Sequence, residues 1–480
     1  VITRRIPMLA VTVAAAAGLV LATRSDPATT APSFASLETP WMPALPAEAA
    51  LTSTWFCPGV PASGEEGTGG EFVVSNAGPE TVTSRVTLLG AEGQATVRAL
   101  EVPAHGQVVV EAADALTAPY VGAVVEIDGG GGLVEQRATQ EAGSSVAPCT
   151  TSTSSEWYFA EGFTAGDSVE QLVLMNPFDR TVIVDVGIAT AQGSLEPLEG
   201  HPIPPQSVEV IDVSTIAARD EQQVAARIEA HGGASLVAGR AQRYDGGGRL
   251  GYTMTLGAPV ARSQWWFANG LKGEGITQRF SIYNPTDEDV QVQPLYLGIT
   301  TDTPVLVDPI TVPAGEVVTY SSDAVDGLPD GRHAILFDSQ DVGQPFVVER
   351  AITRTIEGVP TTSVLLGGMP RDDAFVPTAW TLAIGPGEPT EDALIVYNTT
   401  NAAGTVTVQA VTPDGLQNVP GLDAVTLPAA GIATIPLADA AVADTQLVIQ
   451  ATAPVFVERS LPREPGARGR SAAWAVPVVG

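Results

Sequence analysis

Reactive and basic side chains are scarce in this chain. Its 480 residues hold one lysine, Lys272, two cysteines and four histidines, and Lys+Arg total 23 against 54 Asp+Glu, a net charge of −31. Such a surface repels nucleic acid phosphates and anionic lipid headgroups, so neither is an expected partner. The same acidity serves solubility, and no long Asp/Glu run gathers it into a site. His105, His201, His231 and His333 stand in turn-like or Gly-rich contexts and none recurs; His105, at a position the other copies fill with turn residues, reads as a solvated loop residue rather than a base or ligand. The chain has no Gly-x-Ser-x-Gly elbow, no His-Glu-x-x-His pair and no Cys/His cluster, and its Gly-rich runs at 64–70 and 129–132 precede no Walker lysine. No catalytic, cofactor-binding or metal-binding residue is assigned, no cofactor is expected, and the protein reads as a non-enzyme. A hydrolase built on paired carboxylates is the enzymatic alternative, since such pairing is invisible in sequence.

Long apolar runs are equally few. One exists, Ile6 to Ala22, preceded by Arg4 and Arg5 and followed by a Pro/Ser/Thr-rich stretch to Pro46. Residues 1–24 therefore read as an apolar helix serving as export signal or single membrane anchor, and 25–50 as a Pro/Ser/Thr/Ala-rich linker. With no second run of spanning length, any membrane contact is through the N-terminal segment. The expected location is extracytoplasmic, secreted or anchored. In that compartment Cys57 and Cys149 are expected to form a disulfide.

What the chain does have is turn formers, 49 Gly and 38 Pro, and a repeat. The punctuation excludes long helices beyond the N-terminus. Four copies share an order of landmarks: an opening tryptophan (Trp55, Trp157, Trp266, Trp380), a strand-like run ending in asparagine (Asn76, Asn176, Asn284, Asn398), a Pro-containing turn, and a strand ending in arginine (Arg137, Arg240, Arg350, Arg459). Positions four and two before each Asn are apolar, the period of a strand with one face on a core. Seven or eight short strands per copy match an antiparallel Greek-key sandwich. The expected fold is all-β, four tandem immunoglobulin-like antiparallel β-sandwich domains at 51–152, 153–262, 263–372 and 373–480. A propeller of four-stranded blades is the rival, opposed by a period near 105 residues.

Each opening Trp is expected to fill a sandwich end or a joint between copies, with a sugar-stacking platform as the functional alternative. The repeated Glu-Arg ending reads as a strand-edge ion pair. Asp287, Glu288 and Asp289, or Asp323, Asp326 and Asp330, offer calcium oxygens in no EF-hand spacing, and solvated turns explain them as well.

The copy Trp157-Tyr158-Phe159-Ala160-Glu161-Gly162, with Asn176-Pro177, Ile203-Pro204-Pro205, Arg240-Ala241 and Leu256-Gly257-Ala258-Pro259, resembles bacterial surface and exported proteins, mainly actinobacterial, that carry tandem copies of this kind. The third copy keeps much of the pattern, and the first and fourth diverge. The arrangement also resembles an uncharacterised actinobacterial envelope family. The resemblance implies location and fold and no activity. The resulting expectation is a structural or adhesive envelope protein, a semi-rigid rod of sandwiches facing an envelope protein or glycan. A glycan-binding accessory of envelope polysaccharide assembly is the alternative.

Overall fold

The computed structural model describes residues 42–47, 50–216, 218–299, 305–341, 343–368, 376–384, 393–437, 442, 445–462 and 470–478. The proposed signal or anchor, 1–24, lies outside them, as does most of the linker. The described chain is all-β. Its one α-helical element is the single turn Val213–Ile216, and no described helix is long and apolar enough to cross a membrane.

The first stretch sets the pattern with β1 (Thr52–Ala62), β2 (Gly69–Asn76), β3 (Val82–Leu89), β4 (Ala95–Val102), β5 (Gly106–Glu111), β6 (Ala118–Asp128), β7 (Gly132–Gln140) and β8 (Gly143–Pro148). They pair antiparallel as two sheets, ordered β1-β6-β3-β4 and β5-β2-β7-β8. Alternation explains the outer sheet: in β3, Ser84, Val86 and Leu88 are buried while Thr83 and Arg85 face water. Each buried aliphatic contributes about 1.5–3 kcal/mol. Trp55 crosses between the sheets, its Nε1 donating to the Gly132 carbonyl at 3.1 Å. Three further segments, with strands between Glu156 and Leu256, Gln264 and Leu366, and Ala379 and Pro477, each add an outer sheet and an inner group of four strands.

The central strands of the inner groups do not alternate over their buried ends. Ala393–Asn398 is buried at every position, because one face meets its own outer sheet and the other a neighbouring segment. Their last strands converge: β8 touches Arg249–Leu256, which runs parallel to Val359–Leu366 with Leu250 opposite Thr361 and so joins two groups into an eight-stranded sheet. Val359–Leu366 touches Arg470–Trp474, and Arg470–Trp474 touches β8. The circuit of contacts therefore closes, fourth segment on first, and Trp41–Gly480 is one compact unit. This corrects the expected rod: the apolar outer faces of the inner groups must be covered, and a linear array would leave those at its ends exposed to water. Leu45 adds to the seam, bridging Val478 in parallel through its N–H to the Pro477 carbonyl at 2.9 Å.

Candidate functional site

Three of the four joints between segments bury paired charge. In a strand, successive side chains point to opposite faces. Glu349 and Arg350, adjacent in Val347–Ile356, therefore reach different neighbours. Glu349 accepts two hydrogen bonds from Arg240 of the second segment, both at 2.9 Å, and the backbone N–H groups of Ala160 and Glu161 at 2.6 and 2.7 Å. Arg350 turns to the fourth segment and donates to Glu458 at 3.2 and 2.8 Å, while Ala268 and Asn269 N–H donate to the same carboxylate at 2.6 and 3.1 Å. Arg459 in turn pairs with Glu135 of the first segment, which also accepts from Ala383 and Ile384 N–H, both at 2.8 Å. All six charged side chains are essentially without solvent exposure. The Glu-Arg ending is thus no strand-edge pair: each residue bonds a partner in another segment.

Both oxygens of each carboxylate are occupied, and the Arg240 and Arg350 guanidiniums also lie over the Phe159 and Phe267 rings, at 5.4 and 5.3 Å. Each pair is a fastener in which the guanidinium leaves only its Nε without a hydrogen bond; removing one partner costs about 3–5 kcal/mol.

The joint between first and second segments has none of these parts. The carboxylate position holds Gly239, and the residue three after the tryptophan is Pro58, which has no N–H to donate. A β-carbon on Gly239 would lie 2.8 Å from Pro58 Cγ, so the two backbones meet directly. Gln136 stands in the arginine register, buried with neither amide atom hydrogen-bonded. Where Phe159 faces Gly257 and Phe267 faces Gly367, the first segment has the Cys57–Cys149 disulfide.

The structure moves two landmarks by one residue. The tryptophan of the third segment that crosses between sheets is Trp265, not Trp266: its Nε1 donates to the Phe346 carbonyl at 2.7 Å, as Trp157 does to Leu236 at 3.0 Å and Trp380 to Val455 at 2.9 Å. Trp266 instead stacks on Phe456 of the fourth segment, ring centroids 5.3 Å apart. Matching Trp265-Trp266-Phe267-Ala268-Asn269-Gly270 against Trp157 to Gly162 was the available signal. Likewise Gln136, not Arg137, shares register with Arg240, Arg350 and Arg459, and Arg137 pairs with Glu71. Trp55, Trp157, Trp265 and Trp380 are at most 1 % exposed, so none offers a face to a sugar.

The asparagines are buried brackets. Asn176 Nδ2 donates to the carbonyls of Arg180, Ile203 and Pro204, and its Oδ1 accepts the Phe178 N–H, which ties the strand end to the Pro-containing turn. Asn76, Asn284 and Asn398 repeat this arrangement. His333 is not a loop residue: it lies fully buried in strand Gly331–Ser339. Among the described residues no three His, Cys, Asp or Glu side chains converge to hold a metal. Asp289 accepts the Ala314 N–H and Asp323 the Gln278 N–H.

Beside the second joint, Glu161 pairs with Arg249 and accepts from Ser281 of the third segment. Glu170 is enclosed there with neither oxygen hydrogen-bonded. Burial pushes its carboxyl up to about 7, Arg240 opposes this, and Glu349 and Glu161 add to it. On the axis, the four converging strands leave an apolar hollow of about 30 Å³ lined by Val146, Met254, Leu365 and Trp474. That is room for a water or two, not for an organic ligand.

Residues 133–251, from β7 into the second segment, match a family of unknown function, DUF5719. No curated protein matches the chain. Solved structures with some similarity include E. coli alpha-2-macroglobulin in its native conformation, at 12 % identity over 85 % of this chain and 28 % of that one, with a TM-score of 0.11. A Salmonella alpha-2-macroglobulin variant aligns at 11 % identity over 90 % and 29 %, with a TM-score of 0.12. A tetra-tandem repeat from the extending region of a large adhesion protein aligns at 11 % identity over 84 % and 94 %, with a TM-score of 0.11. The chain spans under a third of the two macroglobulins' length, and at these scores the likenesses carry no argument about fold or function.

Proposed function

We propose that this chain is a non-catalytic structural or adhesive protein of the cell envelope, made of four immunoglobulin-like sandwich units closed fourth onto first. The observation that carries the reading is the series of buried Arg-to-Glu fasteners across three of the four joints. Each holds two neighbouring segments together, which suits a rigid body presenting outer sheet surfaces to a protein or glycan. The Cys57–Cys149 disulfide supports export, since such bonds persist in oxidising compartments.

Fractionation of the source cells, with alkylation of free thiols before lysis, tests this. The expected result is a chain outside the cytoplasm with both cysteines protected from alkylation. A cytosolic chain with two reactive thiols would overturn it.

A further inference from the structure

Three carboxylates and two guanidiniums are enclosed together at the joint between the second and third segments. Glu161 lies on strand Glu156–Gly162, Glu170 on Val169–Asn176, Arg240 on Val237–Gly246, Arg249 on Arg249–Leu256, and Glu349 on Val347–Ile356 of the third segment. None is more than 6 % exposed. Four of the five are paired: Arg240 bonds Glu349 at 2.9 Å, and Arg249 bonds Glu161, which also accepts from Ser281 Oγ. Glu170 is left over, and with it one negative charge. Arg279, on the strand that carries Ser281, is partly exposed, and burial raises Tyr244 above its ordinary range, so that phenol stays neutral.

Nothing beside Glu170 favours its ionised form by a hydrogen bond. Its place in the strand register holds Gln278 in the third segment and Gly70 in the first, both uncharged. In the third segment the Leu271 N–H donates to Gln278 Oε1 at 2.7 Å; the corresponding Phe163 N–H donates instead to Gln242 Oε1, at 3.1 Å. Gln242 Nε2 is taken up by the carbonyls of Phe163, Val169 and Arg243. A β-carbon on Gly162 would collide with the carboxyl, whose two oxygens have no hydrogen bond.

We propose that this joint is an acid-tightened latch, closed while Glu170 carries a proton and loosened when the proton leaves. With the proton in place the enclosed charges balance, two carboxylates against two guanidiniums. Without it a third carboxylate stands beside Glu161 and Glu349 with no cation of its own, and water reaches it only when the segments part. The seal that parts is local: Phe163, Ala165 and Tyr244 of the second segment pack on Ala351 and Val364 of the third as a cluster separate from the main core. Burial, opposed by Arg240 and reinforced by Glu349 and Glu161, holds the carboxyl at about 7 against an ordinary 4.5. In the open joint the hydrated carboxyl returns to its ordinary value. Opening is therefore independent of pH below 4.5, grows about tenfold per pH unit from there to about 7, and levels off above, about 300-fold in all. The latch depends on neither the location nor the partner of the protein.

Amide hydrogen exchange of the full chain from acid to mildly alkaline pH, with the intrinsic pH dependence divided out, tests the proposal. The reporters are the Ala160 and Glu161 amides, which bond Glu349 across this joint; Ala268 and Asn269 make the same bonds to Glu458 across the next and serve as the control. Protection at Ala160 and Glu161 should fall about 300-fold as the pH rises from 4.5 to about 7, while the control pair keeps its protection. Glu170→Gln, which places in the second segment the side chain the third already has, should make protection at Ala160 and Glu161 level with pH. Protection there that is independent of pH in the unaltered chain overturns the latch. So does an equal loss at Ala268 and Asn269, or the same loss in Glu170→Gln.

Discussion

At the scale of single residues, the fasteners and the enclosed Glu170 dominate. Glu349→Ala strands the Arg240 guanidinium and frees two backbone N–H groups, so a loss of about 3–5 kcal/mol is expected in denaturant unfolding. Arg240→Met with Glu349→Leu removes both charges together and should cost much less than the single change, because no charge is left buried alone. Glu170 sets a pH dependence. Its carboxyl is held at about 7 in the folded chain against an ordinary 4.5, so folding takes up a proton between those values. Below pH 4.5 both states are protonated and nothing is lost. As pH rises from 4.5 to about 7 the unfolded chain releases this proton while the folded state keeps it, and about 3 kcal/mol of stability disappears. Glu170→Gln should flatten that slope in melts recorded across the window; an unchanged slope would show that the group ionises freely.

At the scale of elements, the two adjacent tryptophans of strand Gln264–Lys272 separate packing within a segment from packing between segments. Trp265→Ala empties the space between two sheets and removes one of the two donors to the Phe346 carbonyl, the Arg262 N–H remaining, with an expected cost of about 3–5 kcal/mol. Trp266→Ala should cost less, since the ring is only partly buried and chiefly loses its stack on Phe456. Combining it with Phe456→Ala should give less than the sum of the two single changes, a double-mutant cycle that reports on the joint alone. The landmark order was readable from the chain because turn chemistry and opening tryptophans recur. The one-residue displacements at Trp265 and Gln136 were not, because Trp266 and Arg137 satisfy the same pattern and only register separates them. The Asn-to-turn pairing lay in the sequence as two landmarks; their joining needed the folded hairpin.

At the scale of the whole molecule, closure makes the first segment the point of release. It has a charged fastener to the fourth segment through Glu135 and none to the second, where Pro58 meets Gly239. Glu135→Ala should therefore leave β1–β8 without a buried ion pair to either neighbour. A split of the unfolding transition in two is expected, with amides of 52–148 exchanging first; uniform loss of protection over all four segments would contradict this. The same substitution should not affect the disulfide, which lies wholly within the first segment.

The sequence by itself determined that the chain is all-β, where its strands break and which residues recur, because turn residues and apolar periodicity act locally. It also held a sign of closure: Leu172-Val173-Leu174-Met175 and Leu394-Ile395-Val396-Tyr397 are apolar without alternation, as strands covered on both faces are. What covers the second face, and which arginine meets which glutamate, only the tertiary structure decided. Those contacts join residues about a hundred or more positions apart, from Arg240 to Glu349 and from Glu135 to Arg459. No local preference of the chain encodes that separation; it follows from burying four apolar faces against one another around a common axis.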